Sequence, residues 1–179
     1  MRIILVLIVI LLLTAGGVWS GIFNISARVP HWDITIEAIE LVRDRSIVVH
    51  SSDLKLPALD DPNLPIQGAS AYKETCRDCH GAPGVQAEVF AQGLYPAPAD
   101  LLSGSIQKEW KDNQLYWIVE NGLKMTGMPA FGSAYDQKEL LGIVAFMKKL
   151  PGMTPEVYQG LTGGSGNQRA GLQEGVPSD

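Results

Sequence analysis

Cys76-Arg77-Asp78-Cys79-His80 decides how this chain is read. Two thiols separated by two residues and followed at once by an imidazole make the C-x-x-C-H spacing of covalent haem attachment. On one turn of helix the two sulfurs can each bond a vinyl-derived carbon on opposite sides of a porphyrin, and the adjoining imidazole reaches the iron from below, so His80 is the expected proximal ligand. The competing chemistry is half of a zinc site or a lone disulfide, and zinc needs a second Cys or His pair at a spacing of its own. The chain has two cysteines in all, and its other histidines, His31 and His50, lie upstream and far apart. They make a poor second half-site. One haem c, held by Cys76 and Cys79, is the expectation.

The 179 residues suffice for one modest domain with appendages, and they carry a formal charge of -5. That acidity argues against nucleic acid as a partner. Between Gln67 and Pro155 eight Lys/Arg stand against nine Asp/Glu, so any patch for a redox partner is local rather than spread over the domain.

Ile3 to Phe23 is 21 positions without a charge, long enough at ~1.5 Å per residue to cross a hydrocarbon core of about 30 Å. It reads as an uncleaved membrane anchor. A cleaved signal peptide, with Arg2 as its basic region and Ala27 before the cut, is the alternative. The apolar run continues through Val18, Trp19, Ile22 and Phe23, past the usual length of a signal, with aromatics where an interfacial belt anchors a helix. Either way the cysteine-bearing part is exported, and Arg2 stays on the cytoplasmic side of a single-pass anchor.

Pro30 to Asp53 places Ile34, Ala38, Leu41, Val42, Val48 and Val49 near helical spacing, interrupted by Arg43, Asp44 and Arg45. Three readings stay open: an amphipathic helix at the bilayer, a surface for a partner subunit, or a helix packed on its own haem domain. Leu56 to Pro65 holds three prolines in ten positions and reads as a linker. Gly160 to Asp179 is rich in Gly, Ser, Gln and Asn and reads as flexible. The expected organisation is an anchor at 1–25, a juxtamembrane segment and linker at 26–66, a haem domain at 67–155 and a flexible tail at 156–179.

Within the haem domain, Gly68 to Asp78 is expected to be a helix ending in the haem motif, broken by Gly81 and Pro83-Gly84. A second helix is expected over Asn113 to Glu120, with Asp112 to cap its start and Asn121-Gly122 its end. Asp136 and Glu139 form a capping pair that opens a third helix, with Leu140, Ile143, Val144 and Met147 as its apolar stripe. No alternating strand pattern appears. The expected fold class is all-α, one haem domain behind a transmembrane helix. For the other side of the iron, the loop Gly127-Met128-Pro129 lies about fifty residues after His80. Thioether sulfur is a soft neutral ligand that favours ferrous iron. Met128 is the candidate, because its neighbours prevent regular helix and let the backbone approach a flat ligand. Met125 reads as apolar filling beside the ring.

These elements resemble a class I cytochrome c, in the short-loop form of the cytochrome c subunits of bacterial respiratory oxidases. The resemblance is carried by Gly68-Ala-Ser-Ala-Tyr72 ahead of Cys76-Arg-Asp-Cys79-His80-Gly81, by Gly127-Met128-Pro129-Ala130-Phe131, and by a last helix ending Phe146-Met147-Lys-Lys-Leu150-Pro151. It covers about half of the chain. It implies that Gly68 and Tyr72 cross the last helix at Phe146, that maturation occurs on the outer, periplasmic face of the bacterial inner membrane, and that a proline carbonyl orients the proximal histidine. Pro83, Pro96 and Pro98 are the candidates for that carbonyl. Tyr95, Trp110, Trp117 and Phe131 are further candidates for the haem wall. The function implied is one-electron transport without a small-molecule substrate, between partners such as a quinol oxidoreductase and a terminal oxidase. A haem enzyme, or a redox or gas sensor with a labile Met128, are the alternatives.

Overall fold

A computed structural model describes residues 2–163. Its elements in chain order are α1 (Arg2–Trp19), α2 (Asp33–Ser51), α3 (Leu64–Ala71), a π-helical turn (Tyr72–Cys76), α4 (Arg77–His80), a 3₁₀ turn (Val89–Gly93), α5 (Ser105–Glu109), α6 (Asp112–Asn121), α7 (Gln137–Met147) and α8 (Pro155–Gly163). The fold is all-α: among the described residues the only β pairing is an isolated bridge between Ala82 and Val85. Helix α1 is the one described helix long and apolar enough to cross a membrane, and none of its residues is buried. Its 18 residues span about 27 Å, close to the thickness of a hydrocarbon core.

The core forms where α3 crosses α7. A crossing this close requires glycine: a Cβ on Gly68 would overlap the Gly142 carbonyl and stand 2.6 Å from the Ile143 nitrogen. Around the crossing, Tyr72 meets Phe146 with ring centroids 5.3 Å apart, and Phe146 meets Tyr158 of α8 at 6.2 Å. Helix α7 is set by the reciprocal cap read from its sequence. The Glu139 N–H donates to Asp136 Oδ1 at 2.9 Å, and the Asp136 N–H donates to Glu139 Oε2 at 2.9 Å.

Four expectations are corrected. The helix expected over 68–78 starts earlier, at Leu64, because Pro65 fits the first turn of a helix, where its missing N–H costs nothing. Leu54, Leu56 and Leu59, in and beside the linker, are partly buried against the core rather than free. Asp112 is not the cap of α6. The residue before the helix is Lys111, whose N–H donates to Gln114 Oε1 at 2.8 Å, while Asp112 pairs with Lys148 just beyond α7. The segment 156–163 is the helix α8, with Tyr158 and Thr162 buried, because its aromatic has a place to pack on Phe146. The rest of the expected tail, 164–179, lies outside the described residues.

Helix α2 packs on α6. Ile47 at its inner face is 1% exposed, the Asn113 side chain donates to the Ser51 carbonyl at 2.7 Å, and the His50 ring lies over Trp117 at 5.8 Å. The apolar stripe read from the sequence points the other way, with Ile34, Leu41 and Val42 at 73%, 65% and 69% exposure.

Gly68→Ala should destabilise the protein by about 3 kcal/mol, since the new methyl meets backbone that cannot turn aside. Gly142→Ala, whose Cβ would stand 3.1 Å from the Gly68 nitrogen, should cost clearly less. Urea unfolding followed by circular dichroism checks the order, and equal costs would show that the crossing is not a tight one.

Candidate functional site

The helix that builds the core also delivers the motif. Through the π turn the chain takes in one residue more per turn than an α-helix does, which changes the direction its side chains face. Cys76, Cys79 and His80 emerge from it onto the wall of a cavity of about 500 Å³, within the range of small-ligand and cofactor pockets. Further walls come from Met128 and Phe131 in the loop after α6, from Leu115 and Val119 of α6, and from Ile143 of α7.

His80 is oriented by the backbone. Its Nδ1 lies 2.8 Å from the Ala99 carbonyl oxygen. A carbonyl only accepts, so Nδ1 carries a proton, and in the neutral ring Nε2 is the lone-pair donor. The partner expected from the resemblance was the carbonyl of Pro83, Pro96 or Pro98; it is that of Ala99. Pro96 and Pro98 line the cavity beside it. Asp100, the next residue, accepts from the N–H groups of Leu102 at 2.8 Å and Ser103 at 3.3 Å.

Cys76 and Cys79 form no disulfide with each other. Burial pushes the Cys76 thiol up to about 11 and raises that of Cys79 as well, with the nearby Asp78 carboxylate a second cause for Cys79. Before haem attachment both are therefore neutral near pH 7. Tyr72, buried behind them, donates its hydroxyl to the Gly81 carbonyl at 2.8 Å, and burial lifts it far above the usual phenol range.

The Met128 loop is held at both ends and in the middle. Leu123 N–H donates to the Met128 carbonyl at 3.2 Å, Met128 N–H to Thr126 Oγ1 at 3.1 Å, and Thr126 Oγ1–H to the Leu123 carbonyl at 2.7 Å. The loop returns to α6 through Phe131 N–H to Val119 and Gly132 N–H to Glu120. Gly122, at φ 64°, opens the loop, and a Cβ there would stand 2.6 Å from the Pro129 carbonyl carbon.

Of the other candidates, Tyr72, Pro96, Pro98, Trp110 and Phe131 line the cavity. Four do not. Pro83 sits at the corner of the Ala82–Val85 turn. Tyr95 turns to the N-terminal segment, its oxygen accepting from the His31 N–H at 3.0 Å. Trp117 lies on the outer face of α6 under His50. Met125 is 78% exposed at φ 61°, carried outward by its left-handed backbone. Missed in the sequence were Ala99 and the α2 residues Glu40, Arg43, Asp44 and Ile47, which also line the cavity. Their i, i+3, i+4, i+7 spacing was the available signal, obscured because most are charged.

The residues fit a covalently held haem. Two thiols, an imidazole and a thioether line one chamber whose walls are mostly apolar. Among the described residues no three His, Cys, Asp or Glu side chains converge as a metal site, so the zinc reading lacks its second half. Residues 63–147 match the family described as cytochrome C oxidase, cbb3-type, subunit III. This segment is a c-type cytochrome domain. It resembles the cytochrome c domains of bacterial respiratory oxidase subunits, and its role is that of a haem-based electron carrier. No curated protein and no solved structure gives a significant match. Helix α2 lies upstream of the matched cytochrome domain.

Tyr72→Phe leaves the buried Gly81 carbonyl without its donor and should lower the stability of the cytochrome domain by about 1–3 kcal/mol. Thermal unfolding of the holoprotein measures the loss. An unchanged midpoint would show that water reaches that carbonyl.

Proposed function

We propose that the chain is a membrane-anchored, single-haem electron carrier in which Cys76 and Cys79 hold one haem c and His80 and Met128 are the axial ligands of its iron. The observation that carries this reading is the convergence of these four side chains on one cavity. Bound there, the haem would supply a reversible one-electron change at iron. The chain supplies the rest. Ala99 holds His80 in one tautomer and one orientation. The hydrogen-bonded loop presents a neutral, soft sulfur that favours the reduced metal. The apolar walls exclude water, which keeps reorganisation around a charge change small.

A tethered loop also bears on the sensor alternative. Met128 is fixed by its own backbone bonds, and Met125, the conceivable replacement, faces solvent. Both features favour a stable sixth ligand and a carrier over a gas sensor or an open-site enzyme.

Helix α1 would confine the carrier to the outer, periplasmic side of the inner membrane as a single-pass anchor, with Arg2 on the cytoplasmic side. A carrier restricted in this way suits a subunit or tethered shuttle feeding a terminal oxidase, with a quinol oxidoreductase as the donor class.

Optical spectra with haem staining on a denaturing gel test the site. The native protein should retain haem through denaturation and show a weak far-red sulfur-to-ferric-iron band that Met128→Ala abolishes. A native protein without the band whose ferrous form binds carbon monoxide readily would hand the reading to the sensor or enzyme. For the anchor, a chain secreted by a cleavable signal and lacking residues 1–25 should move from the membrane to the soluble periplasmic fraction with haem attached; retention in the membrane would show that another segment holds it.

A further inference from the structure

A haem brings two propionate carboxylates into a mostly apolar chamber, and each must reach water or a cation. Among the described residues lining the cavity, Arg43 is the only lysine or arginine. It lies outside the matched cytochrome domain, on α2. Its wall is separate from that of the thiols: α2 rests on α6, whereas α4 rests on the π turn and the 3₁₀ turn. The separation matters because the vinyl-derived and propionate substituents occupy opposite halves of the porphyrin.

On the haem reading above, we propose that Arg43 is a propionate-binding residue and that α2 is the wall that closes the haem cavity. The guanidinium is pre-set for this. Its Nε donates to Asp44 Oδ1 at 2.7 Å, which fixes the plane of the fork, while Nη1 is 3.8 Å from Glu40 Oε1, beyond hydrogen-bond reach. The two terminal nitrogens are left for a planar, two-oxygen acceptor such as a carboxylate. Glu40 and Asp44 line the same wall but keep 53% and 41% of their side chains exposed, so both carboxylates can stay solvated beside an incoming anion. Glu109 of α5 is the remaining acid on the lining. The assignment also accounts for the orientation of α2, whose charged residues face inward and whose apolar stripe faces out.

The test is redox titration of the full-length holoprotein in four forms: native, Arg43→Gln, Arg43→Lys and Arg45→Gln. Arg45 is an exposed residue of the same helix that does not line the cavity, so it controls for loss of one charge. Ferric haem carries one positive charge more than ferrous, and a propionate stripped of its cation favours the ferric state. The midpoint potential should therefore fall in Arg43→Gln by clearly more than in Arg45→Gln, and Arg43→Lys should recover part of the fall. Equal shifts in the two Gln variants would overturn the proposal. If Arg43→Gln does not fold, Arg43→Lys decides, and a potential identical to the native one would overturn the need for the guanidinium fork. Absence of covalently retained haem from the native protein would instead defeat the cytochrome reading itself.

Discussion

The near-contact of Gly68 and Gly142 is the constraint on which the rest depends. Two helices can approach this closely only where neither presents a side chain, and the Gly142 carbonyl occupies the space a Cβ at Gly68 would need. Once α3 is locked against α7 there, Tyr72 lands on Phe146, and the same helix runs on into Cys76, Cys79 and His80. The packing of the core and the position of the haem motif are therefore one geometric decision. Damage to the crossing is expected to reach the cavity, because the helix that makes the crossing runs on into the motif.

Each ligand candidate is held by hydrogen bonds from backbone and side chains beside it. His80 depends on the Ala99 carbonyl, and that segment depends on Asp100 tying down the turn that follows. Met128 depends on Thr126 and Leu123, and the return of its loop depends on two bonds to α6. This is the arrangement a redox centre needs, since a ligand that moves between oxidation states adds to the barrier for electron transfer. Tyr72 links the haem motif to the core by packing on Phe146 of α7 while donating to Gly81 beside the histidine.

Helix α2 shows how an amphipathic pattern can be legible while its direction is not. Its hydrophobic positions recur with helical period, but Ile34, Leu41 and Val42 face outward, and Arg43, Asp44 and Ile47 face the domain. Ion pairs this exposed contribute little stability of their own. What holds α2 is the burial of Ile47 and the Asn113 bond to Ser51, with the charged face following from that docking.

The chain of residues by itself determined the all-α class, the thiol and imidazole of the motif, the cap of α7 and the break into a methionine loop. Each is a local matter of spacing, turn chemistry or periodicity, and each is written in contiguous residues. Only the tertiary structure decided which carbonyl meets His80, that Tyr95, Trp117, Met125 and Pro83 stand away from the cavity, and that α2 supplies part of its wall. Those outcomes depend on which faces meet after distant segments dock. An aromatic on α6 is equally compatible with the core and with the underside of His50. A charge on α2 is equally compatible with solvent and with an anionic cofactor edge, until the crossing of α3 and α7 places the cavity beside it.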